Sequence, residues 1–215
     1  MIRLGIIGSN DLGKLIAYHA VNSGWNIGGF FDNRKPAGTQ IDEYGKVLGN
    51  VDAAEDFFQK KVITHIMVGV GYTQFSYRKS VFEKFKGKIP FGNLIHKSAY
   101  VDSSVLLGEG IFILPGCVLD MSVTLDDNVL MNTGCRIAHH STVKSHCFIA
   151  PGVTIAGNVL IDDSCFLGVG SVIFDNVTIA PKTLIGGGSI VTKNIQEPGT
   201  YMGAPAKRTK DNIFF

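Results

Sequence analysis

From Ile95 to Val191 every sixth residue is apolar, seventeen positions in unbroken register, and all but Met131 carry branched aliphatic side chains. Four residues after each comes a mostly small or β-branched residue, among them Cys117, Val129, Cys135, Ser141, Val153 and Ser171. A helix of 3.6 residues per turn would scatter such a series around its surface, so a long amphipathic helix is excluded. Short strands joined by tight corners fit it. One rung cannot bury its own aliphatic row, so rungs must stack like over like, which predicts a parallel β-helix. Gly108, Gly116, Asn128, Gly152, Gly168 and Asn176 stand at the corners, where positive φ is expected.

This repeat resembles the hexapeptide-repeat acyltransferases, whose β-helix is left-handed. The hand comes from that resemblance, because parallel crossovers are ordinarily right-handed. It also implies three hexapeptides per triangular coil, so that residues eighteen apart lie above one another and the chain has a little over five coils. All four cysteines, Cys117, Cys135, Cys147 and Cys165, share the same inward phase. They read as buried free thiols in a reducing compartment, with a disulfide or metal pair between stacked cysteines as the alternative.

With 215 residues there is room for two modest domains. A chain 45% apolar and 18% charged is globular, and a net charge of only +2 argues against a general nucleic-acid surface. The apolar start, Met1 to Gly8, is cut off by Ser9-Asn10-Asp11, so neither a signal peptide nor a membrane span is expected, and the cytoplasm is the default compartment.

Before the repeat, strand and helix patterns alternate. Residues 3–7 read as a buried strand, Asp11 to Val21 as a helix with Leu12, Leu15, Ile16, His19 and Ala20 on one face, and Ile27 to Phe31 as a second strand. Gly45 to Leu48, Ala53 to Lys60, His65 to Val70 and Thr73 to Phe85 continue as strand, helix, strand and helix, with Pro90 to Ile95 an extended lead into the repeat. This predicts a small doubly wound, Rossmann-like α/β domain. The first turn, Gly8-Ser9-Asn10-Asp11-Leu12-Gly13, lacks the middle glycine of GxGxxG, so a dehydrogenase is not expected. Amides at a helix N-terminus still suit phosphate, and an acid ending the second strand, here Asp32, suits a ribose or base. A glycine turn needed only for packing is the alternative.

A Rossmann-like domain followed by a hexapeptide β-helix resembles, over essentially the whole chain, the PglD and NeuD branch of bacterial sugar acetyltransferases. The resemblance implies domains at 1–92 for the nucleotide sugar and 93–197 for acyl transfer, with a tail at 198–215 contributing to coenzyme A binding. It implies that Gly8, Ser9, Asn10, Asp11 and Leu12 face the diphosphate, Leu12 standing where the family often has histidine. Asp32, Asn33, Gly71 and Tyr72 fall on the same substrate side, with Tyr72 able to stack on a base. Arg78 stands where the family has an arginine, and packing explains it equally well.

Only one corner of the repeat carries two histidines, His139 and His140. The segment Asn132-Thr-Gly-Cys-Arg-Ile-Ala-His-His140 resembles the family signature in which the first histidine is general base and an acid follows it. An amine attacking a thioester must lose a proton, which a neutral imidazole near pH 7 is suited to take. His139 is then the base; His140 replaces the acid, and Asp126 or Asp127 is a candidate to supply the missing charge. A further family histidine falls at Phe148, with His146 nearby as a substitute. Gly157 lies one coil above His139. By resemblance the pantetheine arm of acetyl-CoA meets Val169, Gly170 and Gly187, and Lys207 and Arg208, in a Gly-x-Pro-Ala-Lys tail, meet its phosphates unless they are merely solvated. The apolar end, Ile213-Phe-Phe215, is expected to pack on the β-helix or a neighbour. No metal is expected.

These readings converge on an acetyl-CoA-dependent N-acetyltransferase. Its substrate would be the 4-amino group of a nucleotide-linked deoxy-sugar, with UDP preferred to dTDP, in polysaccharide biosynthesis, and the enzyme would work as a homotrimer with the site between subunits. A NeuD-like O-acetyltransferase using the same base on a hydroxyl is the alternative. A catalytically silent nucleotide-binding scaffold is a third reading, opposed by the retained histidine, glycine corner and tail.

Overall fold

A computed structural model describes residues 2–210, and the chain divides into two compact units, residues 1–94 and 95–215. In the first unit the order is β1 (Arg3–Ile7), α1 (Asp11–Asn22), β2 (Asn26–Phe31), β3 (Gln40–Ile41), β4 (Gly45–Gly49), α2 (Ala54–Gln59), β5 (His65–Val68) and α3 (Phe75–Phe85). The sheet runs β3-β4-β2-β1-β5, parallel except for the β3–β4 pair. Leu4, Ile6 and Ile7 of β1, an interior strand flanked by β2 and β5, have no exposure, as expected of a parallel strand covered on both faces. Strand order reverses between β1 and β5. Their C-terminal ends therefore frame the crevice in which open α/β sheets bind ligands.

Local chemistry explains where this unit departs from the expected pattern. Helix α1 buries Gly13, Ile16, Ala17, His19 and Ala20, while Leu12 and Leu15 are only half-buried. Its face is turned by Gly13, where a Cβ would stand 2.1 Å from the Gly8 carbonyl oxygen. Helices α2 and α3 are each entered through a 3-10 turn, Val51–Ala53 and Tyr72–Gln74, which shortens both. The two-residue β3 is too short to carry a period.

The second unit is a left-handed parallel β-helix of two-residue strands. Each strand pairs with the one eighteen residues on, as in Val118↔Arg136, Arg136↔Thr154 and Thr154↔Val172. The seventeen-position series lines its interior. From Leu119 to Ile185 every member is at most 1% exposed. The four cysteines are free and fully buried in the same core. A hydrogen bond with Cys117 and then burial push the Cys135 thiol up, and burial pushes up Cys147, so both are held as neutral thiols.

At the corners, every sixth residue from Gly110 to Gly188 has positive φ, including Asn128, His140, His146, Asn158, Ser164 and Lys182. This ladder corrects two glycines. Gly108 and Gly168 are not in the left-handed region; instead a Cβ would meet Asp127 Oδ1 at 2.4 Å and the Gly187 amide at 2.5 Å, respectively. Coil spacing, not φ, excludes side chains there. The helix also continues past Val191: Ile179 bridges Ile195 and Leu184 pairs with Thr200, both sixteen residues apart. This coil has two residues fewer than the others, which breaks the six-residue period. Lys207–Lys210 then pairs antiparallel with Thr200–Met202. The Ile213-Phe-Phe215 end lies outside the described residues.

Candidate active site

The corner after Arg136–Ile137 projects His139 and His140, both exposed. The column through this corner continues at Gly157 and Asp175, one and two coils on. Asn158 N–H donates to the His139 carbonyl at 3.0 Å, and His140 N–H to that of Met121 at 3.0 Å, so coil hydrogen bonds fix the backbone on both sides. The His139 ring lies against Gly157: a Cβ there would be 2.6 Å from Cε1 and 2.9 Å from Nε2. Gly157 has no positive φ, so only space for the imidazole accounts for its missing side chain.

The two imidazoles meet through Nδ1 and Nδ1, 3.2 Å apart, with ring planes at 77°. No carboxylate reaches His139 from the places expected. Asp126 pairs with Lys144 at 3.2 Å, and Asp127 Oδ1 accepts from the Glu109 amide at 2.8 Å, on a different corner of the coil. The acid this corner does hold is Asp175, whose Oδ1 accepts from the Gly157 amide at 2.9 Å. Sequence reading passed over it, although adding two eighteen-residue periods to 139 gives 175.

His146 and Phe148 belong to the wall. His146 is 2% exposed with Nδ1 3.0 Å from the Asn128 amide nitrogen, and Phe148 is buried and stacked on Phe166. A third corner column carries Val169, Gly170 and Gly187, all exposed. Its three consecutive glycines have three separate causes: Met202 fills the Cβ space of Gly186, the Val169 carbonyl crowds Gly187, and Gly188 has φ of +67°. Lys207 and Arg208 are exposed on the last strand, with the Arg208 guanidinium donating to the Pro198 carbonyl.

In the first unit, the turn after β1 is held by a latch. Ser9 N–H and Oγ–H both donate to Asp32 Oδ2, at 3.0 and 2.6 Å, and the Arg34 amide donates to Oδ1 at 2.8 Å. Burial alone would raise the Asp32 carboxyl; the Ser9 hydroxyl, the Arg34 and Ser9 amides and Lys35 outweigh it and hold the group below its ordinary value. Gly8, Gly13 and Gly69 pack on one another, and Gly8 also has φ of +101°, so packing and backbone conformation account for all three. Gly71 differs. Its φ is −74° and nothing lies within 4 Å of a Cβ placed there.

Around this turn Asn10 and Asp11 are exposed and Leu12 half-buried, and Asn10 makes no side-chain cap bond. Asn33 is structural, accepting from the Val51 amide at 2.9 Å and donating to Tyr77 Oη at 3.2 Å, whereas Tyr72 is 43% exposed. Arg78 is buried within α3. Two groups at this rim were missed. Lys35 Nζ donates to the Ser9 carbonyl at 3.0 Å, and Tyr77 is raised by desolvation and by Asp32. Neither follows a period, since both lie on irregular or helical surface. Among the described residues no cluster of three or more His, Cys, Asp or Glu is placed to hold a metal ion, and no helix is long and apolar enough to cross a membrane.

Residues 3–85 match the family model of the PglD N-terminal domain. No curated protein matches the chain by sequence. Among solved structures, PerB from Caulobacter crescentus, in complex with CoA and GDP-perosamine, is similar at 25% identity, covering 96% of this chain and 97% of that one with a TM-score of 0.87. A variant of the GDP-perosamine N-acetyl transferase from Caulobacter crescentus, with the same two ligands, matches at 25% identity, 97% of each chain and a TM-score of 0.88. The acetyltransferase domain of PglB from Neisseria gonorrhoeae FA1090 matches at 24% identity over 97% of this chain and 100% of that one, also at 0.88.

Proposed function

We propose that this chain, a PglD/NeuD-like sugar acetyltransferase, transfers the acetyl group of acetyl-CoA to the 4-amino group of a nucleotide-linked amino deoxy-sugar, with His139 as general base. The observation that carries this reading is the His139 ring itself, set on an exposed corner against a glycine left bare for it, with its second nitrogen held by a neighbour. Relatives with CoA and an amino sugar bound, alike over nearly the whole chain, support the reaction class.

In the reaction the neutral amine attacks the thioester carbonyl carbon, forming the C–N bond. His139 Nε2 removes a proton from the nitrogen, the C–S bond breaks as the tetrahedral adduct collapses, and the sulfur leaves to be protonated as coenzyme A. The thioester is already activated, so direct transfer within one ternary complex needs no protein nucleophile. A positioned base contributes about 10²- to 10⁴-fold. The acyl oxygen needs a donor other than the Gly157 amide unless Asp175 first releases it. Val169, Gly170 and Gly187 are assigned to the pantetheine arm, and Lys207 and Arg208 to its phosphates. His146 and Phe148 are assigned to the wall, not to cofactor contact.

For the acceptor, the latched Gly8–Gly13 turn with Lys35 offers amides and a cation to a diphosphate, and Gly71 and Tyr72 offer open space and an exposed ring to the nucleoside. The working form is a homotrimer with its sites between subunits, in the cytoplasm, where both substrates are available. The test is to follow thiol release from acetyl-CoA with UDP-, dTDP- and GDP-linked 4-amino sugars, using the full chain and its His139→Asn variant. One amino sugar should be turned over, and the variant should lose at least about 10²-fold while keeping its fold. Normal turnover in the variant would remove His139 as base. Binding of acetyl-CoA with no release on any amino sugar would overturn the amine acceptor in favour of a hydroxyl.

A further inference from the structure

We propose that His140 is a positioning residue that keeps His139 in the tautomer with an unprotonated Nε2, the task a carboxylate would otherwise perform. The inference rests on His139 being the base. The two Nδ1 atoms are 3.2 Å apart, and such a contact is a hydrogen bond only when one nitrogen carries hydrogen and the other a lone pair.

Two arrangements satisfy it. With His139 as donor, its Nε2 is bare and can accept a proton; with His140 as donor, His139 carries its hydrogen on Nε2 and is no base. The reaction itself discriminates between them. Once His139 has taken a proton at Nε2 it is an imidazolium with hydrogen on both nitrogens, and only a neutral His140 presenting the Nδ1 lone pair remains bonded to it. The arrangement that starts with a competent base is thus the one that also holds the cation formed in the transition state, so His140 acts where differential binding counts. No acid competes for the role among the contacts of this corner: Asp126 pairs with Lys144, Asp127 with the Glu109 amide, and Asp175 with the Gly157 amide.

The backbone explains why the partner is residue 140 and supplies the controls. His140 occupies a left-handed ladder position, φ +57°, immediately after the base. On the next two coils the same position is Asn158 and Asn176, and on another corner it is Gly134 and Gly152, all with positive φ. His140→Asn and His140→Gly therefore both suit the backbone, and they differ in the relevant chemistry. The asparagine carbonyl oxygen accepts from an imidazole N–H; glycine has nothing to offer.

The experiment records nitrogen-15 imidazole spectra of His139 in the full chain and the two variants, with kcat and KM for acetyl transfer. The wild-type protein and His140→Asn should show His139 hydrogen on Nδ1, and His140→Gly should move it toward Nε2. In His140→Gly kcat should fall at least about tenfold with KM nearly unchanged, and His140→Asn should recover most of the loss. Wild-type His139 protonated on Nε2, or a His140→Gly loss that His140→Asn does not recover, would overturn the proposal. So would a spectrum indifferent to position 140. The spectra judge the pair without a substrate: the expected tautomers with no turnover on any amino sugar would remove the proposed reaction and leave the pairing standing.

Discussion

Gly157 offers the most direct test of the corner geometry. In Gly157→Ala the new Cβ would lie 2.6 Å from His139 Cε1, 2.9 Å from Nε2 and 3.2 Å from Nδ1, whereas ordinary contact begins at 3.4 Å. These three atoms are the closest to the new methyl group, and all belong to one movable ring, so the ring must retreat by about 0.8 Å while the coil stays in place. A misplacement of roughly 1 Å at a reacting group costs about 10²-fold in rate. That is about 2.7 kcal/mol of transition-state stabilisation. Steady-state thiol release at saturating acetyl-CoA and acceptor should therefore show kcat reduced about 10²-fold, with the melting temperature within a few degrees of wild type. In a His139→Asn background the same substitution should cost almost nothing further, because it acts through the ring. A kcat within threefold of wild type, or an undiminished second loss in the double variant, would refute the argument that Gly157 exists to seat His139.

The latch, the ladder and Asp175 give further expectations. Asp32 is held below its ordinary value of 3.8, so it contributes stability above that value and loses it as pH falls through the depressed one; denaturant melts should show Ser9→Ala less stable by about 1 kcal/mol at neutral pH and converging on wild type below pH 3.8. At Ser122, φ +58°, a β-branched side chain is strained and glycine is not. Ser122→Val should thus lower the melting temperature by about 2–8 °C, from roughly 1–2 kcal/mol, and Ser122→Gly should leave it unchanged or higher. Asp175→Ala frees the Gly157 amide. If the acyl oxygen uses that donor, kcat/KM for acetyl-CoA should rise severalfold, and a fall would assign Asp175 to holding the corner.

The β-helix was legible because its core repeats: each aliphatic position answers to the one eighteen residues away, so one rule applied seventeen times. The corner of His139 and His140 stood out because no other corner carries two histidines, and the reading of His139 as a base came from the resemblance of Asn132–His140 to the family signature. What escaped lies where period and contact separate. The last coil pairs at sixteen residues, so the six-residue period ends at Val191 although the strands continue to Met202. Asp126 and Asp127 are nearer than Asp175 to His139 in sequence, yet they turn onto another corner, while Asp175 lies two coils up the same column. Lys35 reaches the turn after β1 from a loop and Tyr77 reaches Asn33 from a helix face, and no spacing announces either.

Glycines separate structural demand from functional space once each is asked what its absent Cβ would meet. The ladder glycines are required by φ; Gly108 and Gly168 by the coil beneath; Gly8, Gly13 and Gly69 by one another. Gly5, Gly49, Gly92 and Gly186 meet side chains of the fold's own packing, and Gly157 and Gly71 stand apart from these. Neither has positive φ, and neither has backbone among the nearest atoms to its Cβ: the first meets the ring of the proposed base, and the second meets nothing within 4 Å at the rim of the sheet's switch point. A glycine whose Cβ would meet a side chain, as at Gly92, Gly157 and Gly186, marks a group that must approach closely. At Gly157 that group is His139. At Gly71 no group of this unit comes within 4 Å of the Cβ position, and the open space there, at the crevice, is where the proposed reading places the nucleoside of the acceptor.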